Sequence, residues 1–385
     1  MMKMWVKLTV TAFLLTSLTG CWDLKTIQDT NYMTAIGFDY KDGKYIVYGQ
    51  MLDFASVAKQ EGGQSAQLPL IWVGKEEGGT VSEAFNKLYR TSQQRVFWGH
   101  VGAYLFSKNA LNQGIGKFTD GNVRYSETRF TQWFYSTDEP IEDIFSVIPF
   151  FNVSPMSSIL MQPTESFRQR SDIAPHRLFW VASRLREPGY TVMLPTLDIV
   201  DKVWSKNKKP DPKLRVNGVY ALNKHRSLQW FSEEEFVGAR WLNTDTIRTP
   251  MVVYREGRAV HNVIIKPKAH IKIRADGEKT FFDVDVIASS TIAEIYEEVG
   301  EAELKKLIAN QVKEEIEQTF KLGKSSGIDA YGLEHILYRD EFATWAKLTA
   351  YGEKPLSDYE LGTILVKPTI LHSGMLKTNI KQTQY

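Results

Sequence analysis

The chain has 385 residues, 43% hydrophobic and 24% charged, with 47 basic side chains against 45 acidic ones. That composition excludes a disordered polymer, and the near-neutral balance lacks the basic excess that nucleic-acid binding demands. A single cysteine, Cys21, rules out an internal disulfide and a cysteine-ligated zinc cluster.

The first element is a leader. Lys3 and Lys7 give a basic start, and Leu8 to Leu18 form an apolar run ending in small residues. Leu18-Thr19-Gly20-Cys21 then has the pattern of a bacterial lipobox. It predicts a signal peptide over residues 1–20, cleavage between Gly20 and Cys21, and diacylglycerol on the Cys21 thiol. The apolar run is about half the roughly 20 residues a spanning helix needs, and an ordinary signal peptide would leave the thiol without a role. Loss of Lys3 and Lys7 takes the basic count from 47 to 45, equal to the acidic count, which argues against a purely electrostatic hold on a membrane. No later apolar run is long enough to span, so the body is expected on the outer face of a membrane, held by its lipid.

Residues 21–204 read as an N-terminal α+β region of one or two subdomains. Tyr32–Tyr40 and Tyr45–Met51 predict a hairpin about Lys41-Asp42-Gly43-Lys44. Leu68–Val73 is a strand after a polar loop. Thr80-Val81-Ser82-Glu83 is a capping box opening a helix over 81–91. Strands follow at Arg95–His100 and Val101–Phe106, then a short helix over Ser107–Gly116 and a strand at Phe130–Tyr135. Pro155, Pro163, Pro175, Pro188 and Pro195 argue against long regular elements up to residue 200. Arg168, Arg170, Arg177, Arg184 and Arg186 share no period and read as solvated surface.

Residues 205–213, basic and proline-rich, read as a linker, and 214–380 as a C-terminal α+β domain. Val216–Leu222 and Ser227–Phe231 predict a strand pair. With Asp276-Gly277 as a hairpin loop, Ile273 faces Thr280, Ile271 faces Phe282 and Ala269 faces Val284, while His270 meets Asp283 and Lys268 meets Asp285. That charge matching accounts for Asp283 and Asp285 without a metal. Leu304, Ile308, Val312, Ile316 and Phe320 mark one face of a helix over Ile295–Leu322, broken near Gly300 and ended by Gly323, lying across a sheet. Helices over Ala330–Tyr338 and Asp340–Thr349 follow, then a strand over Tyr359–Ile370, at an edge because of Pro368. The fold class is α+β, multi-domain, with mixed or antiparallel sheets and packed helices.

Chemistry is not legible. There is no G-x-S-x-G, H-E-x-x-H, Walker loop or dinucleotide fingerprint. Gly323-Lys324-Ser325 is the tail of a phosphate loop without its upstream glycine. His100, His176, His225, His261, His270, His335 and His372 never take metal-ligand spacing, and His100 has no acid or nucleophile near it in sequence. Neither a catalytic group, a metal nor a cofactor is expected.

Several stretches together resemble the spore germination nutrient-receptor C-subunit lipoproteins, the Ger(x)C family. They are Cys21-Trp22-Asp23, Ala35–Tyr40 with Gly43-Lys44-Tyr45, Gly78-Gly79-Thr80 before Glu83-Ala84, and Trp98-Gly99-His100. In the second half they are Gly218-Val219-Tyr220, Trp241-Leu242, Gly327–Leu333, Trp345 and Gly374. One departure is Ala330-Tyr331-Gly332-Leu333, where relatives often carry a phenylalanine-glycine step. The resemblance implies a non-catalytic, lipid-anchored subunit on the outer face of the spore inner membrane, working with two integral membrane subunits to trigger germination, with no nucleic acid. It leaves open whether this subunit touches the nutrient. The alternatives are a transporter's substrate-binding lipoprotein, disfavoured because hairpins dominate both halves rather than parallel-sheet lobes, and a membrane-tethered hydrolase.

Overall fold

The computed structural model describes residues 4–5, 30–52, 70–123, 128–223, 228–276, 279–295 and 299–372. Gly20 and Cys21 lie outside these. In chain order the strands of the first half are β1 (Thr30–Lys41), β2 (Lys44–Leu52), β3 (Ile71–Gly78), β4 (Arg95–Phe97), β5 (Ala103–Ser107), β6 (Trp133–Thr137), β7 (His176–Arg177) and β8 (Val192–Val200). A ribbon of β9 (Ser205–Lys206) and β10 (Lys209–Pro210) leads to β11 (Lys213–Leu222) and β12 (Leu228–Ser232). The large sheet runs β12-β11-β8-β6-β5-β1-β2-β3, with β4 beside β1 and β7 beside β6.

The opening hairpin forms as its sequence requires. Lys41 pairs with Lys44, and Asp42 and Gly43 both take positive φ, 52° and 79°, the twist-matched turn for a two-residue connection. The centre of the sheet differs from the expectation of hairpins in both halves, because β1, β5, β6 and β8 run parallel. Parallel strands need covering on both faces, and β1 has it. Phe38 packs with Phe85, Phe106 and Phe118 on one side, while Ala35, Leu105 and Tyr135 meet Ile141, Ile144 and Phe145 on the other. The nine-residue β8 carries Pro195 inside it, where a proline should break a strand. Proline lacks the N–H but keeps its carbonyl, and side chains of β6 tie β8 in place through carbonyls: Ser136 Oγ donates to that of Pro195 (3.1 Å) and Thr137 Oγ1 to that of Leu197 (2.9 Å).

The sheets do not divide at 205–213. That segment is the β9–β10 ribbon, and directly after it β11 pairs antiparallel with β8 from Lys213 to Leu222, with β12 beyond. Hydrogen bonding of the first sheet therefore continues through Ser232, and the change to the second sheet falls between Ser232 and Arg248.

The second sheet, β13 (Arg248–Arg255), β14 (Arg258–Asp276), β15 (Lys279–Ile295) and β16 (Tyr359–His372), runs in that order. Its β14–β15 register differs from the expected one by two residues. Ile271 lies opposite Val284, Ile273 opposite Phe282, His270 opposite Asp285 and Lys272 opposite Asp283. Asp276 pairs with Lys279, so the turn sits one residue later than the Asp276-Gly277 loop. A shift of two keeps every side chain on its face, which is why both registers satisfy the same apolar pattern. The outer face carries the ion pairs Lys272–Asp285 and Arg274–Asp283, both at 3.4 Å. β16 adds in parallel at the edge, with Pro368 within it.

The helix Glu301–Ser325 crosses this sheet with Leu304, Ile308, Val312 and Ile316 buried against Val284, Val286 and Ala288. Each such side chain contributes roughly 1.5–3 kcal/mol by leaving water. The helix starts at its cap Gly300 and ends after Ser325; Gly323 is inside it. The left-handed residue that terminates it is Gly327 (φ 68°), a conformation that costs a side chain but not glycine. Helices Leu333–Asp340 and Phe342–Thr349 follow.

Candidate functional site

The densest polar construction lies where the first half of the chain meets the second. Ser232 and Glu235 form a capping box, with the Glu235 amide donating to Ser232 Oγ (3.2 Å) and the Ser232 amide to Glu235 Oε2 (2.9 Å). The segment behind it is pinned to the long helix: the Gly238 amide donates to Thr319 Oγ1 (3.0 Å), whose hydroxyl donates to the Glu235 carbonyl (2.9 Å). A Cβ on Gly238 would stand 2.2 Å from the Glu315 carbonyl oxygen, so only glycine permits this approach.

That approach delivers Arg240 and Trp241 into the core. Arg240 is 6% exposed and Glu315 7%. Arg240 Nη2 donates to both Glu315 carboxylate oxygens (3.2 and 2.9 Å), and Nη1 donates to Asp172 Oδ1 (3.1 Å), Thr249 Oγ1 (2.8 Å) and the Pro250 carbonyl (3.2 Å). Trp241 Nε1 and Gln311 Nε2 donate to the remaining positions on Glu315 (2.8 and 3.1 Å). A buried guanidinium is tolerable only when paired in this way. Arg170 bonds Asp172 and Glu233 at the outer rim, and burial pushes the Glu233 carboxyl up from its ordinary value. Ser171 completes the seam, its hydroxyl accepting from the amides of Ile247 and Arg248 (both 3.1 Å). A cavity of about 180 Å³ opens beside this rim, lined by Tyr135, Phe167, Arg170, Arg215 and Glu233.

A second cavity, about 280 Å³, lies between Tyr190, Thr191 and Asn223 on one side and Lys324, Asp329 and Glu334 on the other. Burial raises the Asp329 carboxyl to about 6 despite the backbone amides it accepts, those of Tyr331 (3.2 Å) and Glu334 (2.7 Å) among them. Glu334 accepts from Trp345 Nε1 (3.3 Å) and the Leu356 amide (3.0 Å), and Lys324 Nζ donates to the Tyr359 carbonyl (2.8 Å) and Glu360 (2.7 Å). The charged groups of this cavity are thus committed to holding helices and strand ends. What the junction does chemically is join two sheets through charge-assisted hydrogen bonds.

The residues singled out in the sequence are scattered. His100 packs on Tyr32 and Phe97 with centroids 5.0 and 5.6 Å apart. Arg168 pairs with Glu165 (2.8 Å), Arg177 lies 3.9 Å over the Trp133 ring, and Arg184 covers Trp180 and Tyr190. Gly323-Lys324-Ser325 is the last turn of the long helix. Among the described residues no group of histidine, cysteine, aspartate and glutamate could hold a metal ion, and no helix is long and apolar enough to cross a membrane. Arg240, Asp172 and Glu315 were missed. Glu315 had a signal, since it lies seven residues after Ile308 and three after Val312, which puts a carboxylate on the apolar stripe.

Comparison with known proteins closes on one group. Residues 23–199 match the profile described as the spore germination protein N-terminal domain, and residues 217–374 match that described as spore germination B3/GerAC like, C-terminal. Spore germination protein KC of Bacillus subtilis (strain 168) is 23% identical over 360 residues, 86% of each chain. Spore germination protein B3 of the same organism is 22% identical over 297 residues, 76% of each. The crystal structure of the GerBC protein superposes with a TM-score of 0.56 at 13% identity, covering 91% of this chain and 100% of that one, which shows a shared fold.

Proposed function

Because this chain belongs to the spore germination GerAC family, we propose that it is the lipid-anchored C subunit of a nutrient germinant receptor, held on the outer face of the spore inner membrane. It works there with two integral membrane subunits and without catalysis of its own. The observation that carries the reading is the adjacency of two independent signals. The family match begins at Asp23, two residues behind the lipobox cysteine Cys21. Residues 1–20 then act as a removable leader, Gly20 and Cys21 flank the cut, and the matched body starts where the lipid is attached.

The buried junction supports a holding role. Two sheets locked by the Arg240–Glu315–Asp172 network present their surfaces in a fixed relation, and a tether to the bilayer raises the local concentration of membrane partners enough for weak contacts to count. The test is mass spectrometry of the protein extracted from spore membranes. The expected N-terminal peptide begins at Cys21 and carries diacylglycerol, and Cys21→Ala leaves the leader uncut and the protein unlipidated. A wild-type N-terminus elsewhere, or an unmodified Cys21 thiol, refutes the anchor.

A further inference from the structure

Two loops far apart in sequence converge on one tip of the first sheet and expose large apolar side chains there. One follows the helix Ile141–Ser146 and the other leads from β8 into the β9–β10 ribbon. Phe151 is 86% exposed, Val203 66% and Trp204 55%. The Phe150 ring stands edge-on to Trp204 with centroids 5.0 Å apart, and Lys206 Nζ donates to Asn152 Oδ1 (3.0 Å), so the loops support each other. Asn207 and Lys208, with φ of 52° and 67°, make the two-residue turn of the ribbon, while Phe151 and Asn152 take φ of 60° and 54° in the other loop. A bulky aromatic residue seldom takes that conformation, and a soluble surface gains nothing from it. The segment that carries Val203 and Trp204 holds Lys202, Lys206, Lys208 and Lys209 against a single aspartate, Asp201, all exposed.

We propose that this tip is a second membrane contact, in which Phe151, Val203 and Trp204 enter the interface of an anionic bilayer while the surrounding lysines meet its phosphates. Lysine is depleted where proteins bind proteins, whereas aromatic side chains ringed by lysine suit the headgroup boundary. The contact extends the membrane location proposed above but needs no lipid on Cys21. It also orients the body. β8 runs parallel to β1, so the ribbon that follows β8 lies at the end of the sheet away from Thr30. β1 spans about 40 Å at the rise of a strand, and residues 21–29 reach about 30 Å at most. A bilayer that holds both the Cys21 lipid and the tip therefore runs alongside the parallel strands and not beneath their first residues.

The test uses the mature chain, residues 21–385, so that the apolar leader is absent, with Cys21→Ser, which removes the only thiol, and an environment-sensitive dye at Lys202→Cys or, as a control on the long helix, at Lys313→Cys. With vesicles of phosphatidylglycerol and phosphatidylcholine the dye at 202 shifts to the blue and the dye at 313 does not. Phosphatidylcholine alone gives a much weaker response. Phe151→Ser with Trp204→Ser weakens vesicle binding by about tenfold or more, as does Lys208→Glu with Lys209→Glu, and circular dichroism is unchanged because these side chains are exposed. No shift at 202, an equal shift at 313, or binding indifferent to both pairs overturns the proposal. So does a shift that needs the solubilised integral membrane subunits instead of lipid, which would make the tip a protein interface. Because Cys21 is absent throughout, these results are independent of whether the natural protein is lipidated.

Discussion

Arg240 is held by two carboxylates, a hydroxyl and a carbonyl, and the energetic weight of that arrangement lies in what is left when one member is removed. Arg240→Met strands Glu315 in the core and should lower stability by about 3–5 kcal/mol in urea denaturation. Arg240→Met combined with Glu315→Leu removes both charges, so its loss should be well below the sum of the single losses; additivity within about 0.5 kcal/mol would show that the two do not interact. His176 offers a test in pH. Its ring is stacked on Trp180 at 3.9 Å and 6°, and burial lowers it to about 3 from an ordinary 6.5. The unfolded chain then binds the proton first as pH falls, so this group's contribution is complete above about pH 6.5 and lost on descent towards pH 3. Asp329 acts in the opposite sense: raised to about 6, it favours the folded state at low pH and loses that advantage as pH rises from about 4 to 6. His176→Phe keeps the stack and should flatten the acid limb by roughly 2 kcal/mol, less than the full shift implies because the ring is only partly covered. An unchanged limb would place the titration elsewhere.

At the level of elements, the helix Glu301–Ser325 gives the sharpest expectation. Ile308 is fully buried, and Ile308→Asp puts an unpaired charge into the second core, at a loss of several kcal/mol. A melting temperature equal to that of the wild type would mean that the face is exposed. This helix was legible because a four-residue apolar repeat has one reading. The β1–β2 hairpin was legible because Asp42-Gly43 has one good turn. β8 was not, because Pro195 reads as a break, and the hydroxyls of Ser136 and Thr137 that tie β8 to β6 come from some sixty residues away. The β14–β15 register was half legible: alternation decides which face a residue takes, but a slip of two preserves every face, and only the actual turn selects between registers. The junction was the least legible part, since Asp172, Arg240 and Glu315 meet only after two sheets have formed, and local pattern carries no information about pairings at that range.

The two larger sheets of the described residues are clamped at Arg240 and stitched again through Ser171 and through His335, whose Nδ1 lies 3.0 Å from the Pro188 carbonyl. Such a body suits a part that transmits position between partners. With the proposed anchor at one end and the proposed aromatic contact at the other, it would lie along the bilayer where membrane subunits can meet its length. We propose that this chain couples nutrients to germination as one member of a receptor. The most direct measurement is the germination of spores from which it alone has been deleted, scored against a panel of nutrients and against agents that bypass receptors. Loss of response to at least one set of nutrients, with normal germination by the bypass agents, is the expected result. Intact responses to every nutrient, or a defect that extends equally to the bypass agents, would contradict it.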